Sequence, residues 1–138
     1  MRELVFPKVE LVHHIPCPGH PLGRYVRDRK HVELSRTELS RRPTPLRRFA
    51  LYHELGHWWR TSYVPDELVC GDLDEEEYAD MFALFFVGRS DATPSMRRTD
   101  TVFLNTITMQ QELQILRFAE EVLRTLEDEL GEVQSSSV

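Results

Sequence analysis

The sequence predicts an α+β fold: a small antiparallel or mixed sheet of about three strands, packed on three helices. Three observations carry that expectation. The first 36 residues alternate β-branched and aromatic runs with Pro/Gly breaks. The segment 45–60 is apolar nearly all round and opens on a proline. The segment 107–130 has apolar residues stepping by three and four.

At 138 residues the chain suits one domain over 1–130, long enough to bury roughly two thirds of its unfolded surface. The last residues, 131–138, read as a disordered tail. The strands are expected at VELVHHI (9–15), RYVRD (24–28) and HVELS (31–35). His13 and His14 would alternate across the first of these, and the other two are close enough to form a hairpin. HVELS, just before the central helix, is expected to be the sheet edge to which an extended peptide could add.

Thr44 and Pro45 make a helix start, a hydroxyl N-cap followed by proline at the first helical position. On the helix from Pro45 to Trp59 or Arg60, Leu46, Phe49 and Ala50 share a face with His53 and His57. The second helix, 72–88, is expected to be capped by Asp74 and ended by Gly88. RSDATPSMRRTDTV (89–102) reads as a loop. In the last helix, Leu116, Ala119, Leu123, Leu126 and Leu130 form a narrow seam. The seam either packs on the domain or docks to a partner or second copy.

Composition removes several classes. No apolar run approaches the ~20 residues needed to cross a bilayer, and the start, MRELVFPKVE, has no signal-peptide pattern. Cys17 and Cys70 make neither a CxxC site nor a disulfide framework. A cytoplasmic location is therefore expected. Residues 1–60 carry 12 Lys+Arg against 6 Asp+Glu, and residues 61–138 carry 5 against 17. Without interleaved exposed aromatics the basic half reads as a face that pairs with the acidic half, so no direct nucleic-acid contact is expected.

The chemistry lies in HELGH (53–57). Histidines four apart project from one helix face, so both imidazoles can reach one ion, and the intervening Glu54 is placed as a general base. Zinc needs a third protein ligand. No histidine follows His57, and Arg60 and Tyr63 occupy the positions of the glycine and third histidine in the longer signature. The third ligand is therefore a carboxylate, Cys70 or an upstream histidine. On the second helix Glu76 and Asp80 share a face with Ala83 and Val87, which makes Glu76 the preferred ligand and Glu77 the next. Ala83 would permit close approach of the helices. Asp80, one turn on, is placed to accept the other ring N–H of a ligand histidine. Tyr63, Tyr78 and His20 are candidates for stabilising an oxyanion, each more simply read as packing.

FALYHELGHWW followed by EEYADMFA resembles the ImmA/IrrE family of gluzincin-type metallopeptidases. That family pairs HELGH with a downstream E-x-x-A-[ND]-x-F-A helix, matched here by Glu76, Ala79, Asp80, Phe82 and Ala83. The chain differs in opening almost directly on a strand and closing on one long seam-bearing helix. The resemblance, over about residues 20 to 88, implies one zinc ion on His53, His57 and Glu76, with Glu54 activating zinc-bound water. It also implies a protein or peptide substrate, typically a helix-turn-helix repressor. The competing expectation is a peptidase-like binding module or toxin–antitoxin component that sequesters a regulator without cleaving it.

Overall fold

The computed structural model describes residues 4–16, 22–64, 75–90 and 107–131. Among them are strands β1 (Lys8–Val12), β2 (Gly23–Val26) and β3 (His31–Ser35), and helices α1 (Arg36–Leu39), α2 (Thr44–Tyr63), α3 (Glu75–Ser90) and α4 (Met109–Leu130). The fold is α+β with a mixed sheet, as the sequence pattern indicates.

The sheet order is β1-β3-β2. A 3-10 turn at Arg27–Arg29 and a left-handed Lys30 (φ 48°) reverse the chain between β2 and β3. So short a connection forces antiparallel neighbours, with Arg24 opposite Glu33 and Tyr25 opposite Val32. This turn ends the second strand at Val26 rather than Asp28. With one side of β3 taken by β2, β1 occupies the other in parallel, pairing Val9 with Val32 and Leu11 with Leu34. HVELS is therefore the central strand, paired on both sides, and the expectation that it is the edge is wrong. Among the described residues the edges are β1 and β2. β1 also stops short of its histidines: His13 and His14 lie exposed beyond it, with the His13 carbonyl accepting from the Thr37 N–H and hydroxyl at 3.2 and 2.7 Å.

Helix α1 was not anticipated, although S-R-T-E carries the Ser-x-x-Glu start signal, and the Ser35 hydroxyl accepts from the Glu38 N–H at 3.2 Å. Helix α2 begins at Thr44, with Pro43 as its N-cap and no side-chain cap. Pro45 is tolerated one position later than expected because the first four helical N–H groups have no intrahelical partner. α2 runs on to Tyr63, and Leu51, Tyr52, Leu55 and Trp58 in it are fully buried. α3 continues past Gly88 to Ser90, so the expected loop at 89–102 does not begin at 89; the rest of that loop, like Asp74, lies outside the described residues. Thr108 and Gln111 cap α4 reciprocally at 3.1 and 3.0 Å, and Gly131 (φ 68°) ends it.

The seam on α4 belongs to the core. Ala119, Leu123, Leu126 and Leu130 are buried together with Ile115, and Leu116 packs half-buried against them. The uneven charge along the chain is resolved in the same interface. Arg47 donates to Glu127 at 2.6 Å and to the carbonyls of Leu39 and Gly131, while Arg48 and the Tyr52 hydroxyl meet Glu120 at 2.6 and 2.9 Å. Arg36 reaches Glu129 at 3.5 Å. Burial and the neighbouring Glu120 carboxylate hold the Tyr52 phenol protonated above its ordinary range. No helix among the described residues is long and apolar enough to cross a membrane.

Candidate metal centre

Helices α2 and α3 cross closely because Gly56, inside HELGH, has no side chain. A Cβ there would lie 2.9 Å from Ala79 Cα and 3.0 Å from Phe82 Cβ. The close approach thus runs through Gly56 and Ala79; Ala83, which the sequence suggested, is buried beside it. This crossing delivers Glu76 of α3 to the two histidines of α2.

Glu76 spans both rings. Its Oε1 is 3.2 Å from His53 Nε2, and its Oε2 is 2.8 Å from His57 Nε2. Ligand atoms of His53, His57 and Glu76 all lie within 4.8 Å of one another. Ligands around a tetrahedral zinc with bonds of about 2.0–2.1 Å sit roughly 3.3 Å apart, close to these separations. On the far side of the ring, His53 Nδ1 is 2.8 Å from Asp80 Oδ1. With Asp80 accepting from Nδ1, Nε2 is the ring nitrogen that a metal ion would take. Two imidazole nitrogens and a carboxylate oxygen, with one tautomer fixed, form a donor set that fits zinc. The histidine side chains are about one-seventh exposed and that of Glu76 is half exposed, so the cluster is reachable from solvent.

Glu54 sits behind this cluster, 4.0 Å from His53 Nε2 and only 5% exposed. Strand β2 covers it: a Cβ on Gly23 would lie 3.2 Å from Glu54 Cγ. Burial, and secondarily the Glu76 carboxylate, push its carboxyl up to about 8 in the metal-free cleft. A cleft of about 220 Å³ opens from Glu54, His57, Glu75 and Glu76 toward Arg24, Tyr25 and Arg27 of the hairpin.

The structure therefore brings together His53, His57, Glu76, Asp80 and Glu54. Glu77 is exposed and outside the cluster; Cys70, Cys17 and His20 lie outside the described residues. Tyr63 packs: its hydroxyl accepts from the Val5 N–H at 2.8 Å and its ring stacks on Trp59. Tyr78 is buried in the core. Sequence reasoning did not single out Gly23 or Gly56, and it read the basic run RYVRDRK (24–30) as a solvated or ion-paired face rather than as the wall of a cleft. The small residues Gly56 and Ala79 were visible, but only the helix crossing pairs them. A second group, Glu10, His31 and Glu33, lies on the sheet, where Glu10 pairs with His31 and Arg24 with Glu33. No family model, curated protein or solved structure matches the chain.

Proposed function

We propose that the chain is a zinc metallopeptidase of the ImmA/IrrE type, hydrolysing a peptide bond in a cytoplasmic protein or peptide. A helix-turn-helix regulator is the substrate to which the sequence resemblance points. The observation that carries the reading is the convergence of His53 Nε2, His57 Nε2 and both Glu76 oxygens at one point, with Glu54 beside it.

A bound zinc ion would act as a Lewis acid, lowering the pKa of water and polarising the scissile carbonyl. The chain's own residues do the rest. Glu54 takes the proton from the attacking water and passes it to the departing amine nitrogen. Packed under Gly23 and lining the cleft, it is placed to reach an attacking water. Asp80 orients His53. Among the described residues strand β2 is paired only with β3 and borders the cleft, so its other edge can pair with an extended substrate backbone.

A binding module that only sequesters its partner has no use for Glu54. The test is Glu54→Gln, nearly isosteric and not a ligand. The variant should keep its fold and its zinc, yet lose cleavage of a degenerate synthetic peptide mixture by at least ~100-fold, read as new termini by mass spectrometry. Cleavage at the wild-type rate would remove Glu54 from the mechanism. Peptide binding without cleavage by the wild type would favour the sequestering module.

A further inference from the structure

We propose that Arg24 and Arg27 make the cleft selective for substrates with an acidic side chain beside the cleaved bond; this rests on the peptidase reading above. The cleft has two unlike walls. Helices α2 and α3 supply Glu54, His57, Glu75 and Glu76, and the hairpin supplies Arg24, Tyr25 and Arg27. The metal ligands occupy the helical wall, so side-chain recognition falls to the hairpin.

Strand geometry places the contact. In β2, Gly23 faces Glu54 and Tyr25 packs against the core, so Arg24 projects from the opposite face. A peptide added to the edge of β2 would set side chains about 4.5–5.5 Å, Cβ to Cβ, from those directly opposite. A glutamate carboxylate opposite Arg24 is then within reach of its guanidinium. Arg27, just past the end of the strand, offers a second.

Both guanidiniums already have carboxylate partners, Arg24 with Glu33 at 2.5 Å and Arg27 with Glu75. A guanidinium carries five donors in a fork, so it can hold more than one acceptor. The two arginine side chains are 41% and 56% exposed, and pairs so open to water are weak and readily shared. The helical wall opposes an acidic substrate less than its composition suggests. Glu75 is paired to Arg27, and Glu76 turns its two oxygens to the histidines. A lysine in the same place would meet two like charges, so selectivity comes from repulsion as well as attraction.

The experiment has a cleavage arm and a binding arm. Wild-type protein with zinc is given a degenerate mixture of short synthetic peptides, then matched peptides with Glu, Gln or Lys at each position flanking the cleaved bond. The Glu54→Gln protein is titrated with the matched peptides by fluorescence anisotropy, or, if nothing is cleaved, with Glu-, Gln- and Lys-containing sets of the mixture. At one position or more, Glu should exceed Gln about tenfold in kcat/KM and in affinity, with Lys weaker still. Arg24→Glu with Arg27→Glu should reverse the order to favour Lys. Arg24→Gln with Arg27→Gln should level it, and serves should the charge reversal not fold. Cleavage with no acidic preference, or with a preference that neither double variant moves, overturns the selectivity and leaves the peptidase reading intact. Acid-selective binding without cleavage by the wild type overturns the peptidase reading and keeps the selectivity. Neither cleavage nor binding overturns both.

Discussion

Replacing Gly56 by alanine adds one methyl group where α2 meets α3. The new Cβ would lie 2.9 Å from Ala79 Cα and 3.2 Å from Ala79 O, both backbone atoms of a helix that cannot rotate aside as a side chain does. Optimal carbon–carbon contact lies at about 3.5–4.0 Å, so α3 must retreat by roughly half an ångström or more. Such overpacking costs about 1–3 kcal/mol, and a backbone clash belongs near the upper end. Alanine gives back about 1 kcal/mol of helix propensity. The net is about 2 kcal/mol, and at ~2.1 cal/mol/K per residue a chain of this size loses roughly 7 °C in Tm. The metal centre amplifies the shift. Zinc ligands tolerate about ±0.2 Å, and Glu76 rides on α3 only 2.8 Å from His57 Nε2, so zinc affinity should fall by about 10–100-fold, the range for losing support around a metal ligand. Thermal melts with and without chelator, and competition of zinc against a chromophoric chelator, measure the two effects. A variant that melts like the wild type and binds zinc equally would refute the idea that the Gly56–Ala79 approach positions Glu76.

Three other perturbations follow from the same geometry. Glu54 has its folded carboxyl raised from 4.5 to about 8, so its contribution to the metal-free protein is complete below pH 4.5 and is lost as pH rises through 8. Chelated wild type should therefore lose stability between those values with a slope approaching ~1.4 kcal/mol per pH unit, and Glu54→Gln should flatten it; equal slopes would deny the burial effect. Asp80→Ala should leave the fold in place by circular dichroism while weakening zinc by about 10–100-fold, because His53 loses the 2.8 Å contact that fixes its tautomer; unchanged affinity by chelator competition would make Asp80 a bystander. Leu123→Asp should unfold the chain, because Leu123 is 4% exposed in the core and a carboxylate there is buried without a partner; a folded variant that merely dissociates from a partner would return the seam to a docking role.

What the sequence could convey was set by range. The faces of α2 and α3 follow from helical spacing within a few residues, so His53, His57, Glu76 and Asp80 were legible as groups on two stripes. That those stripes meet depends on the Gly56–Ala79 crossing, which no local pattern encodes. Strand positions were likewise visible, but strand order was not: β3 became central only because the distant β1 took its open side, with Lys8 opposite His31 and Glu10 opposite Glu33. The edge, and with it the cleft wall of Arg24 and Arg27, moved to β2 for that reason. The α4 seam had two readings, of which packing on the domain was the simpler, and only the burial of Leu123 and Leu126 in the core decides between them. α1 was missed although its Ser-x-x-Glu start was present, because four residues give too little periodicity to register.

The central claim is that His53, His57 and Glu76 together hold a zinc ion, and zinc stoichiometry tests it most directly. Purified protein is stripped with chelator, dialysed to equilibrium against zinc, and analysed for metal beside His53→Ala, Glu76→Ala and Glu77→Ala, with circular dichroism to confirm folding. Wild type and Glu77→Ala should hold about one ion per chain, and His53→Ala and Glu76→Ala should hold essentially none. A wild-type chain that takes up no zinc, or a Glu76→Ala chain that keeps it while Glu77→Ala does not, would contradict the account.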